Sequence, residues 1–395
     1  MQTQINLRSP YYIKVSQTGL TSATLSLYIY TGTFTANGSV AAGTLRYSIT
    51  KKPLGTNAFV VYEISELIRD YLEIEFNGSY DSDVVWINAT ITPQSGGGTG
   101  TITITPDNTN GFVGLDGYGY FEQGANPTLS TNLLQSNRTI FALDDNLFRV
   151  PVFVQGTNSV SLLYKGEVKT DIDLTSASVD ETSEQIRYIS ANSTNSGDVD
   201  YDSFVERVLN DGGTFEGSTC LDDFFGDFSV DLIDEVYVSS DSGTEVIKII
   251  TLEECKYTPI KVTFVNKFGA IQDLIFFKKS TDSTVVKGEE FKSAVFDQST
   301  LTYKTYQHQR TQFMVQGNDS ISMNTGFINE DYNQVIEELM LSEQVWATFI
   351  TDTQELVRPL VPKTKSLTFK TTLNDNLVDY AIDFDIANDK INNIR

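Results

Sequence analysis

The sequence contains one histidine and two cysteines in 395 residues. Cys220 and Cys255 lie far apart without a Cys-x-x-Cys spacing, so two buried free thiols are expected rather than a disulfide framework or a zinc or redox site. Any Ser-His-Asp or Cys-His site would need His308, and no Gly-x-Ser-x-Gly segment accompanies it. His308 is therefore expected to be a polar strand or loop residue.

Long apolar runs and phosphate-binding loops are also missing. No stretch approaches the roughly 20 apolar residues of a membrane helix, and none follows Met1 to Gln4, so neither a membrane span nor a secretory signal is expected. Gly96 to Gly98 has no following Lys-Ser/Thr, and Gly114 to Gly119 lies outside a strand–turn–helix setting. The sequence predicts no catalytic, cofactor-binding or metal-binding residues, and no enzyme.

Basic residues are scarce: 28 Lys and Arg stand against 52 Asp and Glu, a net charge of −24. The stretch from Asp171 to Cys255, called here the acidic centre, has 21 acidic and three basic residues, so it carries −18 of that charge. The parts before and after it carry −3 each. This balance argues against nucleic acid and acidic membranes as partners, and leaves proteins, divalent cations and carbohydrate open.

Carboxylates are the abundant reactive groups. Asp198-x-Asp200-x-Asp202 resembles the opening of an EF-hand loop, but position six is Ser203 and position twelve is Leu209. A solvated acidic turn is therefore expected in place of a calcium site. Glycoside cleavage needs two nearby carboxylates, which many pairs in this chain could supply, so the pattern is not specific.

Short runs of Thr, Val, Ile, Tyr and Phe predict a mainly β fold with several β-sandwich-like domains. We expect an N-terminal β domain over 1–105 with a helix near 64–73, followed by a Gly/aromatic loop with a β segment over 106–170. An acidic central module over 171–255 and a C-terminal β domain over 256–395, with a helix near 330–343, complete the chain. The central module is either a separate unit or an insertion held by its neighbours. The loop from Pro106 to Pro127 either contacts a partner or packs on its own domain.

Local patterns support particular elements. In Ala23 to Tyr30, aliphatic residues alternate with polar and aromatic ones, as in a half-buried strand. The helix that follows Ile64 is expected to run for about ten residues with Ser65 as its N-cap. The second helix has a stripe from Tyr332 to Met340, with Asn329 near its start and Glu330 and Asp331 in its first turn. Further predictions are a strand over Val160 to Val168, a hairpin turn over Asn266 to Gly269, and a capping box at Ser203 and Glu206.

Several segments resemble structural proteins of tailed bacteriophages, in particular crAss-like phages of Bacteroidetes and similar marine phages. The resemblance covers both ends of the chain and is weak through the acidic centre. It rests on the segments Asn6 to Val15, Ala23 to Gly32, Glu63 to Leu72, Asp116 to Glu122, Asn324 to Phe327, Leu341 to Glu343 and Lys363 to Leu367.

The resemblance implies a non-enzymatic component of a phage tail, neck or baseplate-like assembly, made in the host cytoplasm and located in the virion. It implies other virion proteins as partners and a homo-oligomeric ring, with no cofactor. Abundant β structure and exposed aromatic residues suit such contacts. Two alternatives stay open: a receptor- or glycan-binding adhesin that contacts the host surface, and a carboxylate-based polysaccharide depolymerase.

Overall fold

The computed structural model describes residues 3–31, 44–55, 58–80, 84–95, 98–99, 102–104, 112–127, 131–143, 147–154, 157–174, 186–192, 233–241, 243–252, 256–350, 355–366, 368 and 377–391. Strands make up 58% of the structure and helices 7%. The predicted mainly β, sandwich-like fold is confirmed. No helix in the described ranges has the length and apolar character needed to cross a membrane.

The chain divides into two compact units. Unit 1 comprises Met1–Glu253, Thr263–Leu274 and Asp331–Glu343, and unit 2 comprises Glu254–Val262, Ile275–Glu330 and Gln344–Arg395. The two α-helices of the described ranges, α1 (Ser65–Arg69) and α2 (Tyr332–Leu341), belong to unit 1. So do sixteen of the described strands: β1 (Thr3–Asn6), β2 (Tyr12–Ser16), β3 (Leu20–Thr31), β4 (Thr44–Lys51), β5 (Phe59–Glu63), β6 (Val85–Ser95), β7 (Gly98–Thr99), β8 (Ile102–Ile104), β9 (Phe112–Leu115), β10 (Thr139–Leu143), β11 (Leu147–Phe153), β12 (Thr157–Tyr164), β13 (Glu167–Asp173), β14 (Ile186–Asn192), β15 (Glu235–Ser240) and β16 (Gly243–Leu252).

The first sandwich of unit 1 is built on a sheet with the order β1-β9-β6-β3-β4, in which β7 and β8 also pair with β6. The predicted alternation of β3 is confirmed, because Leu25, Leu27 and Ile29 are buried and the residues between them are partly exposed. The β2–β5 pair and α1 add Ile13, Val15, Val60, Tyr62, Ile64 and Ile68 to the same core. Each fully buried aliphatic side chain of this kind stabilises the fold by about 2 kcal/mol.

The described strands of the acidic centre belong to the second sandwich of unit 1. One sheet has the order β10-β16-β15-β12-β13 and the other pairs β11 with β14. Their inward side chains share one core, which includes Val150, Val152, Val160, Leu162, Ile189, Val236, Val238 and Ile247. Strands β14, β15 and β16 are thus held by residues 139–164. The predicted capping box at Ser203 and Glu206 lies outside the described residues.

The strand predicted over Val160 to Val168 is wrong as a single element. The chain reverses at Lys165 and Gly166, which have φ values of 50° and 78°. Two successive residues with positive φ form the tight turn that suits the twist of a two-residue hairpin. The result is the antiparallel pair β12–β13.

The two predicted helices exist, with different ends. Helix α1 has five residues instead of about ten, and Ile64 is its N-cap while Ser65 is its first residue. The Ser65 hydroxyl instead donates to Glu63 and accepts the Tyr11 backbone N–H at 3.3 Å. Helix α2 buries most of its predicted stripe, namely Tyr332, Val335, Ile336 and Leu339. Its N-cap is Asp331, so Glu330 precedes the first turn, and Asn329 pairs in a short strand.

The Gly/aromatic loop packs on its own unit where it is described. Its residues 112–115 form β9, which pairs with β1 and β6, and Phe121–Gln123 form a 3₁₀ turn. The Tyr118 N–H donates to the Lys267 carbonyl at 2.8 Å. A Cβ at Gly117 would lie 2.7 Å from that oxygen, and one at Gly269, where φ is +80°, would lie 2.7 Å from the Asp116 nitrogen. Glycine is required here because two backbones approach closely.

The predicted hairpin turn at Asn266 to Gly269 joins neighbouring strands β17 (Ile260–Val265) and β18 (Ile271–Phe276). Unit 2 contains strands in the order β24-β25-β27-β22-β19, with the small pairs β20–β21 and β23–β26. Its core includes Ile321, Met323, Ile382 and Phe384. The strand bounds are β19 (Thr281–Lys292), β20 (Phe296–Asp297), β21 (Thr302–Tyr303), β22 (Arg310–Asn324), β23 (Ile328–Asn329), β24 (Val345–Ile350), β25 (Glu355–Pro362), β26 (Leu377–Val378) and β27 (Ala381–Ile386).

Candidate assembly surface

A long β-hairpin in unit 2 is the candidate functional surface. It comprises Thr281 to Asn324, namely β19, β22 and the chain between them, and is called here the arm. The strands pair antiparallel from Thr281↔Ser322 to Lys292↔Arg310. The sequence patterns did not predict these strands, because their side chains do not alternate between apolar and polar.

Only the base of the arm is part of a wider sheet. Strand β27 pairs with β22 over Ser320 to Asn324. The chain near Lys390 follows β22 as far as Gly317, whose carbonyl accepts the Lys390 N–H at 2.9 Å. Beyond that point, the described strands of the arm pair with each other alone. A two-stranded hairpin is marginally stable in water, so the distal arm lacks the layer that normally stabilises a sheet.

Exposed apolar side chains are concentrated on the arm. Nine of the 21 large hydrophobic residues exposed in the described chain lie in its 44 residues: Val285, Val286, Phe291, Phe296, Leu301, Tyr303, Tyr306, Phe313 and Met314. Phe291 and Phe313 form an edge-to-face pair with ring centroids 5.8 Å apart. Near the tip, Phe296 and Tyr303 form another at 5.7 Å. Clustered exposed aromatic residues are characteristic of protein-binding surfaces.

A β-bulge shapes the middle of the arm. The register shifts between Lys287 and Glu289, and Met314 on the opposite strand has a φ of 50°. Its side chain is 78% exposed. A Cβ at Gly288 would lie 3.2 Å from Val315 Cγ2, so glycine leaves room for Val315 beside the bulge. Bulges add twist and blunt the edge of a strand against unspecific pairing.

The arm also carries cations without ion-pair partners in the described chain: Lys287, Lys292 and Arg310. Lys292 and Arg310 face each other directly across the two strands. Like charges in opposed positions destabilise a hairpin. The fourth cation, Lys304, lies 3.9 Å from Asp297. Within the described chain, no ion pair offsets this repulsion.

Of the residues singled out for chemistry, only His308 lies in the described part of the chain. His308 is exposed in the chain that leads into β22, and its carbonyl accepts from the Ser293 hydroxyl at 2.7 Å. Cys220, Cys255 and the Asp198-x-Asp200-x-Asp202 segment lie outside the described residues. Among the residues that the structure describes, no group of three or more His, Cys, Asp or Glu could hold a metal ion.

In unit 1, carboxylates converge on arginine. Arg69 Nε donates to Asp116 Oδ1 at 3.0 Å, and its Nη2 binds Glu343. Arg8 Nε lies 3.5 Å from Glu343, and Arg8 Nη2 donates to the Leu341 carbonyl at 2.9 Å. Burial raises the pKa of Asp116, while the hydrogen bond from Arg69 lowers the pKa of Glu343. The cluster holds the end of α2 against the N-terminal sheet.

Glu338 of α2 is fully buried. One carboxylate oxygen accepts the Ser136 hydroxyl and lies 3.8 Å from Lys267 Nζ. The other oxygen makes no hydrogen bond within the described protein. Burial raises the pKa of Glu338, because desolvation of the anion outweighs its interactions with Ser136 and Lys267. Burial, with Glu338 nearby, also raises the pKa of Tyr118 above its ordinary value.

Replacing Glu338 with Gln should flatten the pH dependence of unit 1 stability. A carboxyl whose folded pKa is raised adds stability below its unfolded pKa near 4.5 and loses that contribution as pH rises through the folded value. Relative to Glu338→Gln, the native chain should therefore lose thermal stability between pH 4.5 and 8. Other titrating groups, Asp116 and Glu343 included, are common to both proteins and cancel in the difference.

The measurement is the unfolding temperature across that pH range. Glu337→Gln is the matched control, since it removes a charge from the next position of the helix, which is only partly buried. A pH-independent difference between the native chain and Glu338→Gln would contradict the prediction.

Comparison with known proteins gives no family assignment. No protein-family model, no curated protein and no solved structure matches this chain.

Proposed function

We propose that this protein is a non-enzymatic structural component of a bacteriophage tail, neck or baseplate-like assembly. In this role several copies of the protein form a symmetric ring in the virion and bind other virion proteins. The observation that carries the proposal is the arm, with its exposed aromatic residues and unpaired cations. The phage setting is supported by the resemblance of both ends of the chain to tail and neck proteins.

The arm fits this role for a physical reason. A partner that covers it would remove large apolar side chains from water, which is the dominant favourable term in association. The partner would also supply strand edges or side chains that a two-stranded hairpin lacks. Rings present repeated, identical surfaces, so one arm per copy can stabilise every interface.

The test begins with particles purified from an infected culture. Mass spectrometry should find this protein in a fixed number of copies per particle. Its absence from the particles would contradict the proposal.

A second measurement tests the arm. Phe291→Ser/Phe313→Ser should reduce incorporation into particles about tenfold or more, because two interface aromatics together contribute at least ~2 kcal/mol. Leu45→Ser/Leu54→Ser is the matched control, since both leucines are exposed and lie outside the arm. That control should incorporate within about twofold of the native level, and equal loss in both variants would contradict a specific role of the arm.

The exposed tyrosines near the tip favour a second candidate, a glycan- or receptor-binding adhesin. Tyr303 and Tyr306 are 73% and 80% exposed. Exposed rings of this kind can stack on sugar faces. Binding of the isolated protein to host cells, lost in Tyr303→Ala/Tyr306→Ala and competed by surface polysaccharide, would favour the adhesin over the assembly role.

A further inference from the structure

We propose that the arm of one copy binds the acidic centre, residues 171–255, of a second copy. This inference rests on the proposed function, in which copies of the chain assemble with one another. It identifies the partner of the arm from charge, composition and the unpaired groups of the hairpin.

The distal arm carries a small positive charge. Residues 284–316 contain four basic and three acidic residues, a net charge of +1. The chain as a whole carries −24, so the remaining 362 residues carry −25. Two copies therefore repel each other through their net charge. The distal arm does not share that negative charge, and neither do residues 1–62, which contain five basic and no acidic residues.

The distal arm also contains an opposed pair of cations. Lys292 and Arg310 lie opposite each other on the two strands, and neither forms an ion pair within the described chain. An anionic partner would convert their mutual repulsion into attraction. The acidic centre holds 21 acidic and three basic residues, by far the most negative part of the chain.

The arm and the acidic centre both combine charged residues with aromatic ones. On the arm, Phe291 and Phe313 lie beside the cations. In the acidic centre, the sequence interleaves acid with phenylalanine in Asp222-Asp223-Phe224-Phe225 and Asp227-Phe228. Apolar contacts between the rings would provide affinity, and the opposite charges would provide selectivity and a fast association rate.

The experiment uses the full-length protein. Sedimentation velocity over a concentration series gives the dissociation constant of self-association at low and high salt. Lys292→Glu/Arg310→Glu should raise this constant about tenfold or more. Lys52→Glu/Lys279→Glu is the control, because it makes the same charge change at exposed lysines outside the arm and should shift the constant less than about threefold. High salt should weaken the native association, since the screening length falls from ~10 Å at 0.1 M to ~3 Å at 1 M.

Cross-linking identifies the partner surface. Carbodiimide couples lysine amines to carboxylates that they touch, so Lys287, Lys292 and Lys304 of the arm should join to carboxylates of residues 171–255. In an equal mixture of ¹⁴N- and ¹⁵N-labelled protein, these cross-links should include mixed-isotope pairs, which arise only between copies.

Three outcomes would overturn the inference: a monomer at every concentration, equal effects of both charge reversals, or arm cross-links confined to one isotope. None of them bears on whether the protein is present in virions. A protein found in particles that stays monomeric alone would keep the proposed function and remove the second copy as the arm's partner. Cross-links from the arm to a different virion protein would have the same meaning.

Discussion

Asn266→Asp should destabilise unit 1 by about 3–5 kcal/mol. Asn266 is fully buried at the turn between β17 and β18. Its amide nitrogen donates to the Leu134 carbonyl at 2.7 Å and to Gln272 Oε1 at 3.0 Å. Its oxygen accepts from the backbone nitrogens of Phe268 and Ala270 at 3.0 and 3.1 Å.

The size of this effect follows from the two hydrogen bonds that the Asn266 amide nitrogen donates. Aspartate has nearly the same shape, but an oxygen replaces the amide nitrogen and would face two acceptors inside the protein. Either the new carboxylate is buried as an anion beside these acceptors, or it is protonated because burial raises its pKa. Both states leave buried polar groups without proper partners.

The unfolding of the two units must be followed separately, and tryptophan fluorescence makes this possible. The chain has two tryptophans, of which Trp86 lies in unit 1 and Trp346 in unit 2. In a Trp346→Phe background, fluorescence during urea unfolding reports unit 1 through the fully buried Trp86. The loss caused by Asn266→Asp should be larger at pH 8 than at pH 5, because a buried aspartate is favoured in its neutral form.

Asn77→Asp is the control for this prediction. Asn77 is exposed, and its oxygen accepts the Ser79 N–H at 2.9 Å, a bond that aspartate keeps. Its effect should stay within about 0.5 kcal/mol. A similar small effect for Asn266→Asp would show that the turn does not depend on this amide.

Arg69→Met should cost about 2–3 kcal/mol in the same background. Asp116 is buried, with only 8% of its side chain exposed, and Arg69 is its ion-pair partner. Removing one member of a buried pair leaves an uncompensated charge, which costs roughly 3–5 kcal/mol when both are buried. The lower figure applies here because Arg69 is 36% exposed. Arg69→Lys should retain only part of the stability that Arg69→Met loses, since a single ammonium cannot reproduce the two-pronged hydrogen bonding of a guanidinium.

A double variant separates charge from packing. Adding Asp116→Asn to Arg69→Met removes the stranded carboxylate and should restore about half or more of the lost stability. Arg46→Met is the control, because Arg46 is exposed and makes a cation–π contact with Tyr71 instead of an ion pair. If the losses from Arg69→Met and Asp116→Asn simply added, the two residues would not be coupled.

Local patterns were sufficient where one face of an element is buried. The alternation in β3 and the stripe of α2 could be predicted because side chains on a strand or helix repeat with its geometry. The hairpin turn at Asn266 followed from its residue types. The ends of elements were less predictable, as with Ser65, whose hydroxyl binds Glu63 instead of capping α1.

The arm escaped prediction for the opposite reason. All twelve residues of β19 are exposed, so no periodic apolar face distinguishes the strand from a polar loop. Its weak sequence signal was the β-branched run Thr284 to Val286, which pairs with the polar run Gly317 to Asp319. Neither run shows which strand it pairs with, because pairing depends on the chain between them and on the bulge at Gly288.

By itself, the sequence determined the mainly β class, the negative charge and its concentration in residues 171–255, because these depend on composition and short-range pattern. Only the tertiary structure decided that α2 belongs to the same unit as the N-terminal sheets. It also placed Arg69 on Asp116 and Glu343, and left the distal part of the arm largely exposed. The placement of α2 and of Arg69 depends on contacts between residues far apart in the sequence, up to 333 positions for Arg8 and Leu341. Local sequence patterns do not indicate which distant residues pair.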